Sequence, residues 1–362
     1  MSCVRGALMS QRRMTRRIAG RNLLVATLAL AAAASFPRVS LAAEGGVTFW
    51  VPGFFGSLAS TPLQPGFSYT SLYYNWTGQA GADVAFARQV QAGRLTVPFT
   101  ANVSAHLDAN ASLYFAIPSY TFEQKIFGAQ ATMLLLVPYG RATAAVDATL
   151  TAALGPFGFA IGGYRSDGVT GFADLVPQFN LRWNSGVHNV MTYITGNVPI
   201  GRYDDRRLAN LGLGYQALDG GIGYTYFDPK AGLEFSGTLG FTYNFKNEHT
   251  DYQSGPIMHF DWGASRFLTP QVQVGLVGYV LQQIGCDSGG GDRVGCFESR
   301  VAGIGPQFGY IIPFDKLQGY FNLKAYKEFA GEHRADGFSV WATFSIGPAA
   351  PTPSSAGRPM MK

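Results

Sequence analysis

Residues 232 to 246, GLEFSGTLGFTYNFK, alternate almost without error between apolar and polar. Leu233, Phe235, Leu239, Phe241, Tyr243 and Phe245 share one face, and Glu234, Ser236, Thr238, Thr242, Asn244 and Lys246 share the other. Side chains of a strand point in turn to its two faces, so this stretch predicts a strand of about fifteen residues with one oily and one wet side. The same period recurs. Phe99, Ala101, Val103, Ala105 and Leu107 oppose Thr100, Asn102, Ser104, His106 and Asp108; Ala142, Ala144, Val146, Ala148 and Leu150 oppose Arg141, Thr143, Asp147, Thr149 and Thr151. Leu175, Phe179, Leu181 and Trp183 oppose Asp174, Gln178, Asn180 and Arg182, and Met258, Phe260 and Trp262 oppose His259 and Asp261.

Strands are expected near 69–77, 97–108, 111–122, 128–137, 141–153, 171–183, 187–199, 219–227, 231–246, 255–267, 270–284, 298–312, 317–328 and 337–347. That makes about fourteen, or twelve if the weakest pair belongs to loops; 128–137, 187–199 and 219–227 alternate poorly. After every second strand the connection is short (DAN, PYG, NSG, DPK, LT, PFDK), whereas 78–96, 154–170, 200–218 and the stretch between the last two cysteines are longer. Short turns at one end and long loops at the other belong to outer-membrane barrels. A soluble sandwich would use shorter strands, commonly five to six residues. The expected fold is therefore all-β, a transmembrane antiparallel barrel at 69–347, its oily face on lipid and its wet face lining a lumen.

Composition agrees. Charged residues make up 14% of the chain, against roughly 25% in soluble domains. Residues 1–43 read as a signal peptide, with Arg12, Arg13, Arg16, Arg17 and Arg21 ahead of NLLVATLALAAAA and small residues at 40–43. Arg16-Arg17 has a faint twin-arginine look beside the ordinary secretory reading. Without that leader the chain carries 20 basic and 22 acidic residues, a net charge of −2 rather than +5. The basic character thus leaves with the leader, and nucleic acid is not an expected partner. Export also suits a disulfide between Cys286 and Cys296, around DSGGGDRVG. No metal or cofactor is expected.

Residues 44–68 do not alternate. Phe49, Trp50, Phe54 and Phe55 sit among Pro52-Gly53 and Pro65-Gly66, which break regular structure. Left in water these rings would form an apolar patch, so the segment is expected to enter the barrel mouth as a plug, or to cap it. Residues 348–362 read as a flexible tail after the last strand, with Phe344 the nearest aromatic for the barrel-assembly machinery to read.

GGVTFWVPGFFGSLASTPLQPGFSYTSLYYN, FADLVPQFNLRWNSGVHNVMTYITGNVPIGRYD and LTPQVQVGLVGYV together resemble the outer-membrane transporter family named for the meta-cleavage pathway of phenol degradation. The resemblance covers most of the chain after the leader. It implies passage of hydrophobic or aromatic compounds across the bacterial outer membrane, and carries over no individual functional residue.

Candidate lumen positions from the wet faces are Arg141, Asp147, Asp174, Arg182, Glu234, Asp261 and Lys324, with Tyr320 and Tyr326 beside them. Such charges can orient a solute at a constriction or simply brace the inner wall. His106 and His259, near serines, are the only hint of hydrolysis; no nucleophile elbow, metalloprotease helix or phosphate loop is present, and the chain is expected not to be an enzyme. The function expected is passive uptake of small hydrophobic or aromatic compounds, in contact with outer-membrane lipid and lipopolysaccharide. The other reading is a structural or surface-binding barrel with a closed lumen.

Overall fold

The computed structural model describes residues 47–92, 95–154, 157–290 and 298–349. The leader expected at 1–43, nearly all of the tail and Cys296 lie outside these. Among the described residues the regular elements are strands: β1 (Gly66–Ala92), β2 (Leu95–Ile126), β3 (Ala129–Leu154), β4 (Phe157–Phe172), β5 (Val176–Ser185), β6 (His188–Gly196), β7 (Ala217–Asp228), β8 (Leu233–Asn244), β9 (Ile257–Phe267), β10 (Val272–Gln283), β11 (Arg300–Pro313), β12 (Leu317–Glu332) and β13 (Asp336–Pro348). All lie in one antiparallel sheet, which closes where β1 meets β13, from Tyr69 opposite Ile346 to Gln79 opposite Asp336.

The wall has twelve positions, not fourteen. β3 faces β2 along one edge; along the other it faces β5 at Leu136–Val176 and β4 at Tyr139–Phe172. The partner takes one more residue than β3 between those two pairs, a bulge, so β4 and β5 run as a single wall strand. The turns expected at 108–110 and 138–140 are strand interior: Ala109 lies opposite Ala144, and Tyr139 opposite Tyr114. Two expected pairs of strands are thereby fused into β2, 32 residues long, and β3, 26 residues long. The poorly alternating segments at 128–137, 187–199 and 219–227 are all genuine wall strands. The connections expected at 78–96 and 154–170 are largely strand as well.

The physical reason is a reversal in the phase of alternation. On the lower half of β3, Met133 and Tyr139 are exposed while Thr132 and Leu136 are buried. Above Gly140 the odd positions hold Arg141 and Asp147, both exposed, and the even ones hold Ala142 and Ala144, which are covered. β2 repeats this: Tyr114 and Tyr120 are exposed below, Asn102, Ser104, His106 and Asp108 above, all on one face. One outward face is therefore oily for half of its length and wet for the rest. A strand leaving hydrocarbon for water exchanges its outward side chains while its ladder continues, and in one dimension that switch reads as a turn.

Along the rest of the wall the interior is polar and the exterior apolar. β8 buries Glu234, Ser236, Thr238, Thr242 and Asn244 and exposes Leu233, Phe235, Phe241 and Tyr243. Water would not tolerate so large an apolar exterior on a monomer; hydrocarbon would, because ring closure leaves no backbone group unpaired. One rim carries both the start of β1 and the end of β13, with tight turns such as Phe127-Gly128, where both φ values are positive (51° and 76°) as a type I′ hairpin turn requires. The far rim carries the longer loops at 197–216 and 245–256, the described residues 284–290 and 298–299, and the raised halves of β1 to β4.

Candidate functional site

Residues 47–65 form no strand, so their backbone groups must find partners elsewhere. They find them on the inner wall. The amides of Gly53 and Phe55 donate to the two carboxylate oxygens of Asp261 on β9, at 3.0 and 3.2 Å. Leu58 N donates to Glu234 Oε1 and to Ser236 Oγ on β8, at 2.9 and 3.0 Å, and Ser60 N to Thr225 Oγ1 on β7 at 3.1 Å. Lys324 on β12 donates its Nζ to the carbonyls of Gly53 (2.7 Å) and Phe54 (3.3 Å). Gln130 on β3 clasps Leu63 at both N–H (2.8 Å) and C=O (2.6 Å). The segment thus occupies the barrel interior, as a plug held by side chains from most of the wall.

Its rings fill the space between these anchors. Trp50, Phe54 and Phe55 pack on one another at 5.4–5.8 Å between centroids. Trp50 also stacks flat on His259 at 3.8 Å, and Phe55 meets Tyr193 edge-on at 5.1 Å. Gly53 turns through φ +85°, and a Cβ there would lie 2.9 Å from the Tyr326 ring. Only glycine satisfies both conditions. Lys324 Nζ sits 5.1 Å from the Trp341 ring centre, a cation–π contact in a water-poor interior.

The lumen residues anticipated from the wet faces divide into three groups. Arg182, Glu234, Asp261, Lys324 and Tyr326 converge on the plug: Arg182 reaches Ala59 O at 3.5 Å and Tyr326 Oη reaches Gly53 O at 3.3 Å. Tyr320 points inward but donates to Gln273 Oε1 at 2.6 Å, bracing the wall. Asp174 is buried too, and it organises the loop at 197–216 instead, accepting from Asn197 Nδ2 (2.7 Å), Gly201 N (2.9 Å) and Leu213 N (3.1 Å). Arg141 and Asp147 stand apart: the phase reversal places them on the outer face of the raised sheet, not in the lumen. Phe49 is half-buried at the start of the plug. Cys286 is disulfide-bonded.

One buried cluster was invisible as such in the sequence. Asp219 on β7 accepts from Tyr193 Oη (2.8 Å) on β6, from Thr242 Oγ1 on β8 (2.5 Å), and pairs with His259 Nε2 (3.0 Å) on β9. His259 therefore spends its Nε2 on Asp219 and its ring face on Trp50, an arrangement that supports the plug. His106, the other histidine considered for hydrolysis, is exposed on the outer face beside Asp108 at 3.5 Å. The signal for the Asp219 cluster was only that each member occupies a wet-face position; the inward distance between four strands decides the rest.

Residues 74–344 match the family model described as "Putative MetA-pathway of phenol degradation". No curated protein matches the chain. Among solved structures, an outer membrane channel from Pseudomonas putida F1 superposes with a TM-score of 0.55 at 13% identity, over 82% of this chain and 100% of that one. A FadL homologue from Pseudomonas aeruginosa gives a TM-score of 0.38 at 8% identity, over 85% of this chain and 96% of that one. The first of these likenesses is one of fold: a barrel of the outer-membrane channel type.

Proposed function

This chain belongs to the family described as "Putative MetA-pathway of phenol degradation", and on that premise we propose that it is an outer-membrane channel for passive uptake of small hydrophobic or aromatic compounds. The observation that carries the reading is the plug: an aromatic segment lodged in a polar lumen by individual side-chain hydrogen bonds, not by a strand ladder. Each anchor is worth on the order of 0.5–3 kcal/mol net, so parts of the segment can detach singly while the wall stays intact. Trp50, Phe54 and Phe55 offer ring surface inside the lumen, and aromatic pairs contribute about 0.5–1.5 kcal/mol beyond area burial. Lys324 and Asp261 lie beside these rings and orient dipolar solutes.

The test is flux of a neutral monocyclic aromatic into liposomes carrying the full chain, a variant lacking residues 47–65, or no protein. Flux is expected in the order variant, full chain, empty vesicles. Equal flux in all three would remove the transport reading. Close packing favours one competing reading, a lumen that stays closed: Trp341 and Tyr326 are fully buried against the plug. That reading expects no flux from the full chain, with a partner held by the far-rim loops. We read the barrel as a conduit, not a catalyst, so replacing His259 by Ala is expected to loosen the plug without abolishing any hydrolytic turnover.

A further inference from the structure

Four aromatic side chains stand side by side on the outer face near the far rim. Tyr73, Tyr114, Tyr139 and Phe172 are direct cross-strand neighbours on β1, β2, β3 and β4, and they are 45%, 45%, 46% and 57% exposed. Rings of this kind collect where hydrocarbon gives way to lipid headgroups. The phase of alternation reverses at the very next outward row, which reads Asn75, Ser112, Arg141, Thr170. Two independent features, the girdle and the reversal, thus fix the same boundary on the same four strands.

Immediately above it the outer face hollows into a groove of about 550 Å3. Its small outward residues are Ala145 and Gly168, its border is Thr77, Asn110, Thr143 and Arg141, and two carboxylate residues, Asp108 and Asp167, also line it. The polar side chains already form a ladder: Asn75 Nδ2 donates to Ser112 Oγ (2.8 Å) and Asn110 Nδ2 to Thr77 Oγ1 (2.8 Å). Arg141 differs from them. It is exposed and makes no hydrogen bond or ion pair among the described residues, which leaves its five donors unspent. The nearest outward carboxylate, Asp108, stands two rows higher, about 13 Å along the strand, and is engaged by Gln79 Nε2 (2.8 Å) and His106 (3.5 Å).

We propose that this groove is a docking site for the phosphorylated sugar headgroup of an outer-leaflet glycolipid, the phosphate on Arg141 and the sugar hydroxyls on the Asn75–Thr77–Asn110–Ser112 ladder. The chemistry follows the height order. An unpaired guanidinium sits one row above the oily belt, where a lipid phosphate lies, and binds it in bidentate fashion. The hydroxyl and amide groups at and above that level, with the Asp108 carboxylate at the top of the groove, suit sugar hydroxyls. The small outward residues leave room for a ring. A plain phospholipid would satisfy the guanidinium but not the ladder.

The full chain, purified in detergent, tests this by native mass spectrometry after exposure to phosphorylated rough lipopolysaccharide, its dephosphorylated form, or phosphatidylethanolamine. The phosphorylated glycolipid is expected to stay bound, with retention at least about tenfold above the other two. Arg141→Gln is expected to remove that preference. Ala145→Trp, which fills the groove while keeping Arg141 in the chain, is expected to lower retention of the glycolipid as a whole. Lys230→Gln, at the opposite rim, is expected to change nothing. Folded state is checked for each variant by heat-dependent gel migration. Equal retention of the three lipids by the unaltered chain would overturn the proposal, as would full retention in both groove variants.

Discussion

Asp261 shows how one side chain can decide the state of the whole interior. It is buried, accepts two plug amides, and attracts Lys324, which in turn holds two plug carbonyls. Replacing Asp261 by Ala leaves two buried N–H groups without partners, at about 1–3 kcal/mol each, and leaves the Lys324 charge without its counter-charge. The expected result is a folded barrel whose residues 47–65 become open to protease and whose solute flux rises. Unchanged protease resistance would show that the rings alone hold the segment. The sequence made Asp261 a lumen residue by alternation. Its engagement with residues more than two hundred positions earlier could not be read there, because nothing in the local pattern encodes which chain segment fills the cylinder.

At the level of elements, β3 makes the sharpest prediction. Met133 and Thr149 occupy the same outward face of one continuous strand, separated by the phase reversal. Met133→Arg should cost about 2–4 kcal/mol in a lipid bilayer, the figure for a charge on the oily belt. Thr149→Arg should stay within about 0.5 kcal/mol, as on any wet surface. Equal penalties, measured by denaturant titration in vesicles, would contradict the reversal. The loop over the raised sheet adds a pH dependence. Arg207 beside Asp167, at 2.7 Å, holds that carboxyl below the usual carboxylate range, helped by the amides of Gly168 and Ala209. Because the folded value is depressed, this contribution is complete above the ordinary value of 3.8 and fades only as pH falls below it toward the folded value. Limited proteolysis at 201–212 should therefore be flat from pH 8 to about pH 5 and rise in stronger acid; a rise near neutrality would point to another group. β8 was legible in full, residue by residue. β2 and β3 were not, because a change of surroundings and a change of direction leave the same mark on an alternating pattern.

For the molecule as a whole, closure of the ring separates wall from plug. Every wall strand has partners on both sides at belt level, so deleting residues 47–65 should leave a barrel that still shifts on heating in gels. It should also melt at a lower temperature, since Asp261, Glu234, Lys324 and Arg182 lose partners together. Failure to form any barrel would mean that the segment is part of the folding core. By itself the sequence determined the class of object: period-two alternation over long strands, few charges and a proline-broken aromatic prelude admit little besides a lipid-embedded cylinder with something in its mouth. It also marked most of the inward polar positions, because facing is a local property of the strand. The tertiary structure alone decided the strand count, the outward place of Arg141 and Asp147, the Asp219–His259 pairing beneath Trp50, and the groove above the aromatic girdle. Each of those depends on where water and hydrocarbon meet, or on which distant strands become neighbours, and both are fixed only when the sheet closes.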